Sequence, residues 1–170
     1  RVTQAKRMVG STFKPFLYYA ALEKGFTAST MLTSEPTAFK VAETMYEPKN
    51  FNGYYAYQPI SLAQALALSD NIYAVKTHLF LGPKQVVETA RKFGITAKLP
   101  EVPALALGSA SISLKEMVQA YSVLANGGAF APAYTIEKIT DRAGNILYQK
   151  EQQQSQVLDA KKAFVLTKLM

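Results

Sequence analysis

One segment of this chain has no polar face. Phe16 to Leu22 read FLYYAAL, with apolar or aromatic side chains on nearly every side of a helix. A helix that is apolar all round has nothing to show to water and belongs in the middle of a core. The rest of the chain must therefore wrap around it. Gly25 follows as a helix stop. The spacing starts the helix near Ser11, because Pro15 is tolerated only around a first turn. With Ser11 as N-cap, Pro15 falls at or just past the last position that needs no backbone hydrogen bond.

Residues 29 to 60 contrast with this. They hold Pro36, Pro48 and Pro59, many polar residues and no clean period. They read as a long irregular excursion with a short helix near Lys40 to Met45. An excursion of this length in a compact domain is usually functional or packed over something. Helical signals return with Ser61 and Gln64, a capping box ahead of Leu62, Leu66 and Leu68. That helix stops around Ser69-Asp70-Asn71. A second apolar run, Ile72 to Leu81, ends at Gly82-Pro83, and Pro83 opens a further helix with Gly94 past its end. Ser113 and Glu116 form another capping box, followed by a stripe of Leu114, Met117 or Val118, Tyr121 and Leu124. Residues 134 to 149 read as a β-hairpin turning at Asp141 to Asn145, with Gly144 as its φ > 0 residue. Lys150 to Gln156 reads as a polar, mobile connection. Asp159 caps a last helix carrying Phe164, Leu166 and Leu169.

Composition excludes several chemistries. There are no cysteines, so disulfides, thiolate metal sites and a cysteine nucleophile are all ruled out. There is one histidine, His78, on which any Ser-His-Asp triad or histidine metal site would depend. It lies on a helix without a nameable partner and reads as a surface or half-buried residue. The net charge is +7, but the basic residues are spread along the chain with no stripe interleaved with aromatics. That argues against nucleic acid as a partner. No stretch approaches the roughly 18 apolar residues of a membrane span, and no signal peptide is visible, the first residue being Arg1 and not a Met. Both ends lie in or beside apparent structure, so the 170 residues read as one partial domain. Any membrane anchor belongs to a segment outside them.

Two short motifs could carry chemistry. In Ser11-Thr12-Phe13-Lys14, a serine and a lysine three apart share one helical face, with Cβ atoms about 5–6 Å apart. A serine hydroxyl is a poor nucleophile until a nearby amine, its pKa lowered by burial, can take its proton. A helix N-terminus adds a positive field and backbone donors for an oxyanion. Read alone, the motif is an N-cap followed by a surface lysine. Ser69-Asp70-Asn71, read alone, is a run of good N-caps before a helix.

Together and in this order, S-x-x-K upstream of S-D-N is the signature pair of penicillin-binding proteins and class A β-lactamases. The surroundings agree. QAKRMVGSTFKPFLYYAALEKG resembles the first-motif region of bifunctional penicillin-binding proteins. YEPKNFNGYYAYQPISLAQALALSDN resembles the run into their second motif, and ALGSASISLKEMVQAYSVLANGG a later helix and loop. The resemblance covers residues 1 to about 150.

It implies an α+β fold: a mostly helical fragment of the β-lactamase/transpeptidase-like fold with one hairpin, most of the central antiparallel sheet being absent. Ser11 would attack the D-Ala-D-Ala carbonyl of a peptidoglycan stem peptide, or a β-lactam ring, and Lys14 would accept its proton. Ser69 would relay a proton to the leaving group. Asn71 would bind the substrate amide carbonyl, and Asp70 would be structural. The resemblance implies no cofactor and no metal. Its implied partners are stem peptides, β-lactams and cell-division or elongation machinery, at the extracytoplasmic face of a bacterial membrane. An upstream glycosyltransferase domain is suggested only by likeness to bifunctional members.

The family's K-T-G motif does not occur; Lys168 is followed by Leu-Met. The family places K-T-G shortly after the last helix, so the resemblance implies a piece that stops before it and is weak or inactive by itself. A class A β-lactamase needs a glutamate in an E-x-x-L-N context, whereas Glu101 is followed by Val-Pro-Ala-Leu-Ala. That favours a slowly deacylating transpeptidase, with a D,D-carboxypeptidase or β-lactamase of the same fold, or a non-catalytic binding module, as alternatives. Tyr54, Tyr55 and Tyr57 read as packing residues, and Glu35, Glu43 and Glu47 as solvated.

Overall fold

The computed structural model describes residues 2–41 and 43–170. A short strand, β1 (Lys6–Met8), leads into a 3₁₀ turn at Gly10–Phe13 and then into helix α1 (Lys14–Glu23). The α-helix thus begins three residues after Ser11, with Pro15 in its first turn. The cause is local. The Pro15 ring clashes with an α-helical carbonyl four residues back and has no N–H to give it. The Ser11 carbonyl instead accepts from the Lys14 N–H in a tighter turn. From Lys14 to Leu22 every residue of α1 is buried. Its aromatic rings meet edge-on: Phe16 lies 4.8 Å from Phe93 and 5.6 Å from Tyr121, and Tyr19 lies 5.3 Å from Phe93, centroid to centroid. Such pairs contribute about 0.5–1.5 kcal/mol each beyond the area they bury.

The stretch after α1 is more ordered than its sequence suggests. Strand β2 (Met31–Ser34) and strands β3 (Phe39–Val41) and β4 (Thr44–Tyr46) precede a 3₁₀ turn at Phe51–Gly53 and strand β5 (Gln58–Ser61). β2 and β5 pair antiparallel from Met31↔Ser61 to Ser34↔Gln58, strapping the two ends of the excursion together. Where a short helix is expected near Lys40 to Met45, β3 and β4 pair instead, Phe39 facing Tyr46 and Val41 facing Thr44. Aromatic and β-branched side chains at these four positions favour a pleated pair over a helix.

Helix α2 (Leu62–Ala67) starts on the Ser61/Gln64 capping box. Helix α3 (Asn71–Leu81) starts on Asp70, and helix α4 (Pro83–Lys92) opens with its proline. A 3₁₀ turn at Pro103–Leu107 and strand β6 (Ser111–Ser113) lead into helix α5 (Leu114–Ala125), started by the Ser113/Glu116 capping box. Strand β7 (Ala129–Phe130), the hairpin β8 (Lys138–Thr140) and β9 (Ile146–Gln149), strand β10 (Ser155–Gln156) and helix α6 (Ala160–Leu169) complete the chain. β1 pairs with β6, and β10 with β7, both antiparallel. Among the described residues the strands form five separate pairs and no larger sheet. α1 is the hub, touching α2, α3, α4 and α6.

Three sequence expectations are corrected. His78 is fully buried on α3, and among the described residues neither ring nitrogen has a hydrogen-bond partner. On α5 the buried face is Met117, Ala120, Val123 and Leu124, while Leu114 and Val118 are exposed. They turn instead toward an apolar cleft of about 680 Å³ shared with Met8, Val9, Thr12 and Ile112. On α6 Ala163 and Leu166 are buried and Phe164 is exposed, its ring 5.5 Å from the Lys168 ammonium. No helix among the described residues is long and apolar enough to cross a membrane.

Candidate active site

α1 carries one charged side chain into the core. Lys14 is 1% exposed, and its Nζ donates to the Ser69 carbonyl at 2.5 Å, Ser69 Oγ at 2.9 Å and Asn71 Oδ1 at 2.7 Å. An ammonium has three protons, and all three are taken. Burial pushes the Lys14 pKa down from 10.5 to about 8, and the Asp70 carboxylate pulls the other way. Burial dominates because removing charge from water costs more than one distant carboxylate returns.

The three acceptors come from the junction of α2 and α3. Ser69 sits there at φ 53°, a left-handed conformation unusual for a residue with a Cβ. Its N–H donates to the Leu66 carbonyl and that of Asp70 to the Ala65 carbonyl, closing α2. The strained turn aims both the carbonyl and the hydroxyl of Ser69 at Lys14. Asp70, 4% exposed, then caps α3 by accepting from the Tyr73 N–H at 2.7 Å. It also accepts from Ser34 Oγ and from Asn50 Nδ2. Three donors hold this carboxylate as a structural anion. Asn71 donates its amide to the Lys49 carbonyl at 2.7 Å while its Oδ1 receives Lys14.

Ser11 is exposed on the 3₁₀ turn before α1. It lines a cleft of about 610 Å³ with Lys49, Asn50, Phe51, Leu68, Ser69 and Asn71. Among the described residues no hydrogen bond joins its hydroxyl to Lys14. The backbone of the turn is clamped from outside. Gly10 N–H donates to the Gly108 carbonyl at 3.1 Å, and Tyr121 Oη donates to the Thr12 carbonyl at 2.8 Å. Gly108, at φ 74°, passes so close that an added Cβ would lie 1.9 Å from the Gly10 carbonyl oxygen.

The fold therefore brings Lys14, Ser69 and Asn71 into direct contact and sets Ser11 on a cleft that Ser69 and Asn71 also line. Sequence reasoning missed Asn50, Ser34, Gly108 and Tyr121. Tyr121 shows only as part of the α5 stripe and Gly108 only as a glycine within ALGSAS, and neither signal says what the residue faces. Tyr54 and Tyr57 are exposed at 61% and 69%, against the packing expected of them. Tyr55 accepts at its hydroxyl from the Asn50 N–H. Glu35, Glu43, Glu47 and Glu101 are exposed and line none of the Ser11 cleft. Among the described residues no cluster of three or more His, Cys, Asp or Glu could hold a metal ion.

Comparison with known proteins identifies the family. The chain is 55% identical to penicillin-binding protein 2D of Bacillus subtilis (strain 168), with 100% of this chain and 25% of that protein covered. It is 37% identical to penicillin-binding protein 1A of Neisseria lactamica, with 100% and 22% covered. The chain thus spans a quarter or less of the length of these relatives. The crystal structure of penicillin-binding protein 1A from Haemophilus influenzae superposes with a TM-score of 0.90 at 31% identity, covering 99% of this chain and 30% of that one. Penicillin-binding protein A of M. tuberculosis, solved as an imipenem acyl-enzyme complex, shares the fold with a TM-score of 0.91 at 20% identity, covering 100% and 44%. The family model for the penicillin binding protein transpeptidase domain matches residues 1–170, and the chain belongs to that family.

Proposed function

We propose that this chain carries the acylation centre of a peptidoglycan D,D-transpeptidase and is acylated by β-lactams at the same serine. The observation that carries the reading is Lys14: a buried amine, its pKa lowered to about 8, held by the same Ser69 and Asn71 that share a cleft with the exposed Ser11. At pH 7 roughly one lysine in ten with such a pKa is neutral, against about one in three thousand at 10.5.

A neutral Lys14 accepts the Ser11 proton as Ser11 Oγ bonds to the carbonyl carbon of the penultimate D-Ala. The negative charge forms on the carbonyl oxygen, near the backbone donors of the first turn of α1. When the C–N bond breaks, the departing D-Ala nitrogen receives a proton by way of Ser69, and an acyl-Ser11 ester remains. Asn71 has a second amide proton for the substrate carbonyl. The amino group of a neighbouring stem peptide then attacks the ester. Such an enzyme acts at the outer face of the bacterial membrane.

A carboxypeptidase would use water as the acceptor. A β-lactamase is disfavoured because, among the described residues, no carboxylate lines the Ser11 cleft. K-T-G does not occur in residues 1–170. A missing oxyanion donor typically costs ~10²–10³ in rate, so the 170 residues by themselves are expected to label weakly or not at all.

The test is incubation with a fluorescent penicillin and intact mass measurement, on these 170 residues and on a longer form reaching a K-T-G motif, each with a Ser11→Ala control. One adduct on the longer form, lost with Ser11→Ala, is the expected result. No adduct on either would leave a fold without its chemistry and favour a non-catalytic module.

A further inference from the structure

Lys49 and Asn50 lie in the excursion, yet both line the Ser11 cleft and bond to Asn71. Asn50 is 9% exposed, and both polar atoms of its carboxamide are engaged. Its Oδ1 accepts from the Asn71 backbone N–H at 2.6 Å. Its Nδ2 donates to Asp70 Oδ2 at 2.6 Å and to the Tyr54 carbonyl at 3.0 Å. The preceding carbonyl, that of Lys49, accepts the Asn71 side-chain amide at 2.7 Å.

These contacts have a physical logic. The first N–H groups of a helix have no partner within it. Asp70 supplies one to Tyr73, the third residue of α3, and Asn50 supplies one to Asn71, the first. The two caps are themselves joined, Asn50 Nδ2 to Asp70 Oδ2. Asn71 is thus fixed at its backbone by Asn50 and at its amide by Lys49. Its Oδ1 then points at Lys14 Nζ. Next to Asn50 stands Phe51, 86% exposed on the rim of the Ser11 cleft.

We propose that Asn50 is a positioning residue for the reaction: it holds the Asp70-Asn71 corner in place, and that corner sets where Lys14 Nζ sits and how readily it gives up its proton. The proposal rests on the acylation reading above. It makes the excursion part of the machinery, although Asn50 touches neither Ser11 nor Lys14 by a hydrogen bond.

The experiment measures the rate of acylation by a fluorescent penicillin from pH 6 to 10 in the full-length protein. Wild type, Asn50→Ala and the isosteric Asn50→Asp are compared, with the folded fraction of each read by circular dichroism. Asn50→Asp keeps the acceptor for Asn71 but sets an oxygen against the Asp70 carboxylate. Both variants are expected to acylate about 10- to 100-fold more slowly per folded molecule, as for a misplacement on the 1 Å scale. The pH midpoint should rise in both. Asn50→Asp adds negative charge near Lys14, and Asn50→Ala admits water to it; each favours the charged amine. Variants that match wild type in rate and midpoint overturn the role of Asn50 and leave the acylation reading intact. So does a loss of label that tracks the folded fraction alone, which would make Asn50 merely structural. A wild type that takes no label at Ser11 overturns both, since the reaction Asn50 would serve is then absent.

Discussion

The two ends of α3 bury a basic group each, by opposite means. At the N-terminal end the Lys14 ammonium sits among the Ser69 carbonyl, Ser69 Oγ and Asn71 Oδ1, with Asp70 behind them. Toward the C-terminal end the His78 imidazole is fully buried with no hydrogen-bond partner among the described residues. Desolvation lowers both pKa values, Lys14 to about 8 and His78 to about 4. The difference lies in what surrounds the charge. Lys14 has oxygens to hold its charge, and under the proposed function it serves as a base near neutral pH. His78 has nothing to hold a proton and stays a neutral core residue. Burial by itself does not mark a reactive group; burial with convergent acceptors does.

The largest effect should come from removing the partnered base. Lys14→Met is expected to slow acylation of Ser11 by about 10²–10⁴, the usual worth of a positioned general base. Stopped-flow labelling would read this, and a loss under tenfold would place the base elsewhere. Next is the anion behind the cluster. Asp70→Ala removes the N-cap of α3 and strands Ser34 Oγ and Asn50 Nδ2. It should cost about 3 kcal/mol in urea unfolding, adding a lost cap to unpaired buried donors.

His78 gives a pH test of its own end. Its folded pKa lies below the 6.5 of the unfolded chain, so the unfolded state takes up the proton first as pH falls. The contribution of His78 to stability is therefore intact above pH 6.5 and declines between 6.5 and 4, by up to about 3 kcal/mol. The difference between wild type and His78→Leu across that window isolates the effect. A flat difference would mean that the imidazole is solvated. The smallest effect is expected on the apolar cleft beside β1. Val118→Ser, at an exposed position there, should change stability by no more than about 0.5 kcal/mol and leave acylation unchanged.

The sequence was most legible where the signal is local. Ser61 with Gln64 and Ser113 with Glu116 announce helix starts because the capping contacts span three residues. Lys14, Ser69 and Asn71 could be named together because the motif order carries information that spacing does not. What stayed hidden is non-local. The β2–β5 pairing joins residues 24 to 30 apart, and no Asn-Gly or Asp-Gly lies in the sequence between β3 and β4. A lone histidine on a helix gives no sign of which way it faces. Asn50 looks like any loop asparagine until the fold sets it against Asp70 and Asn71. Leu114 and Val118 fit the helical stripe but face the cleft, since an apolar pattern shows amphipathicity and not what covers it.

The central claim is that the fold has already tuned Lys14 to serve as a base near neutral pH. Its most direct test is a ¹³C–¹H NMR titration of the Lys14 Cε resonance in the unacylated protein, assigned with Lys14→Met. A midpoint near 8 is the predicted result. A midpoint at the ordinary 10.5 would show a lysine held only as a structural cation, and the acylation mechanism built on it would be contradicted.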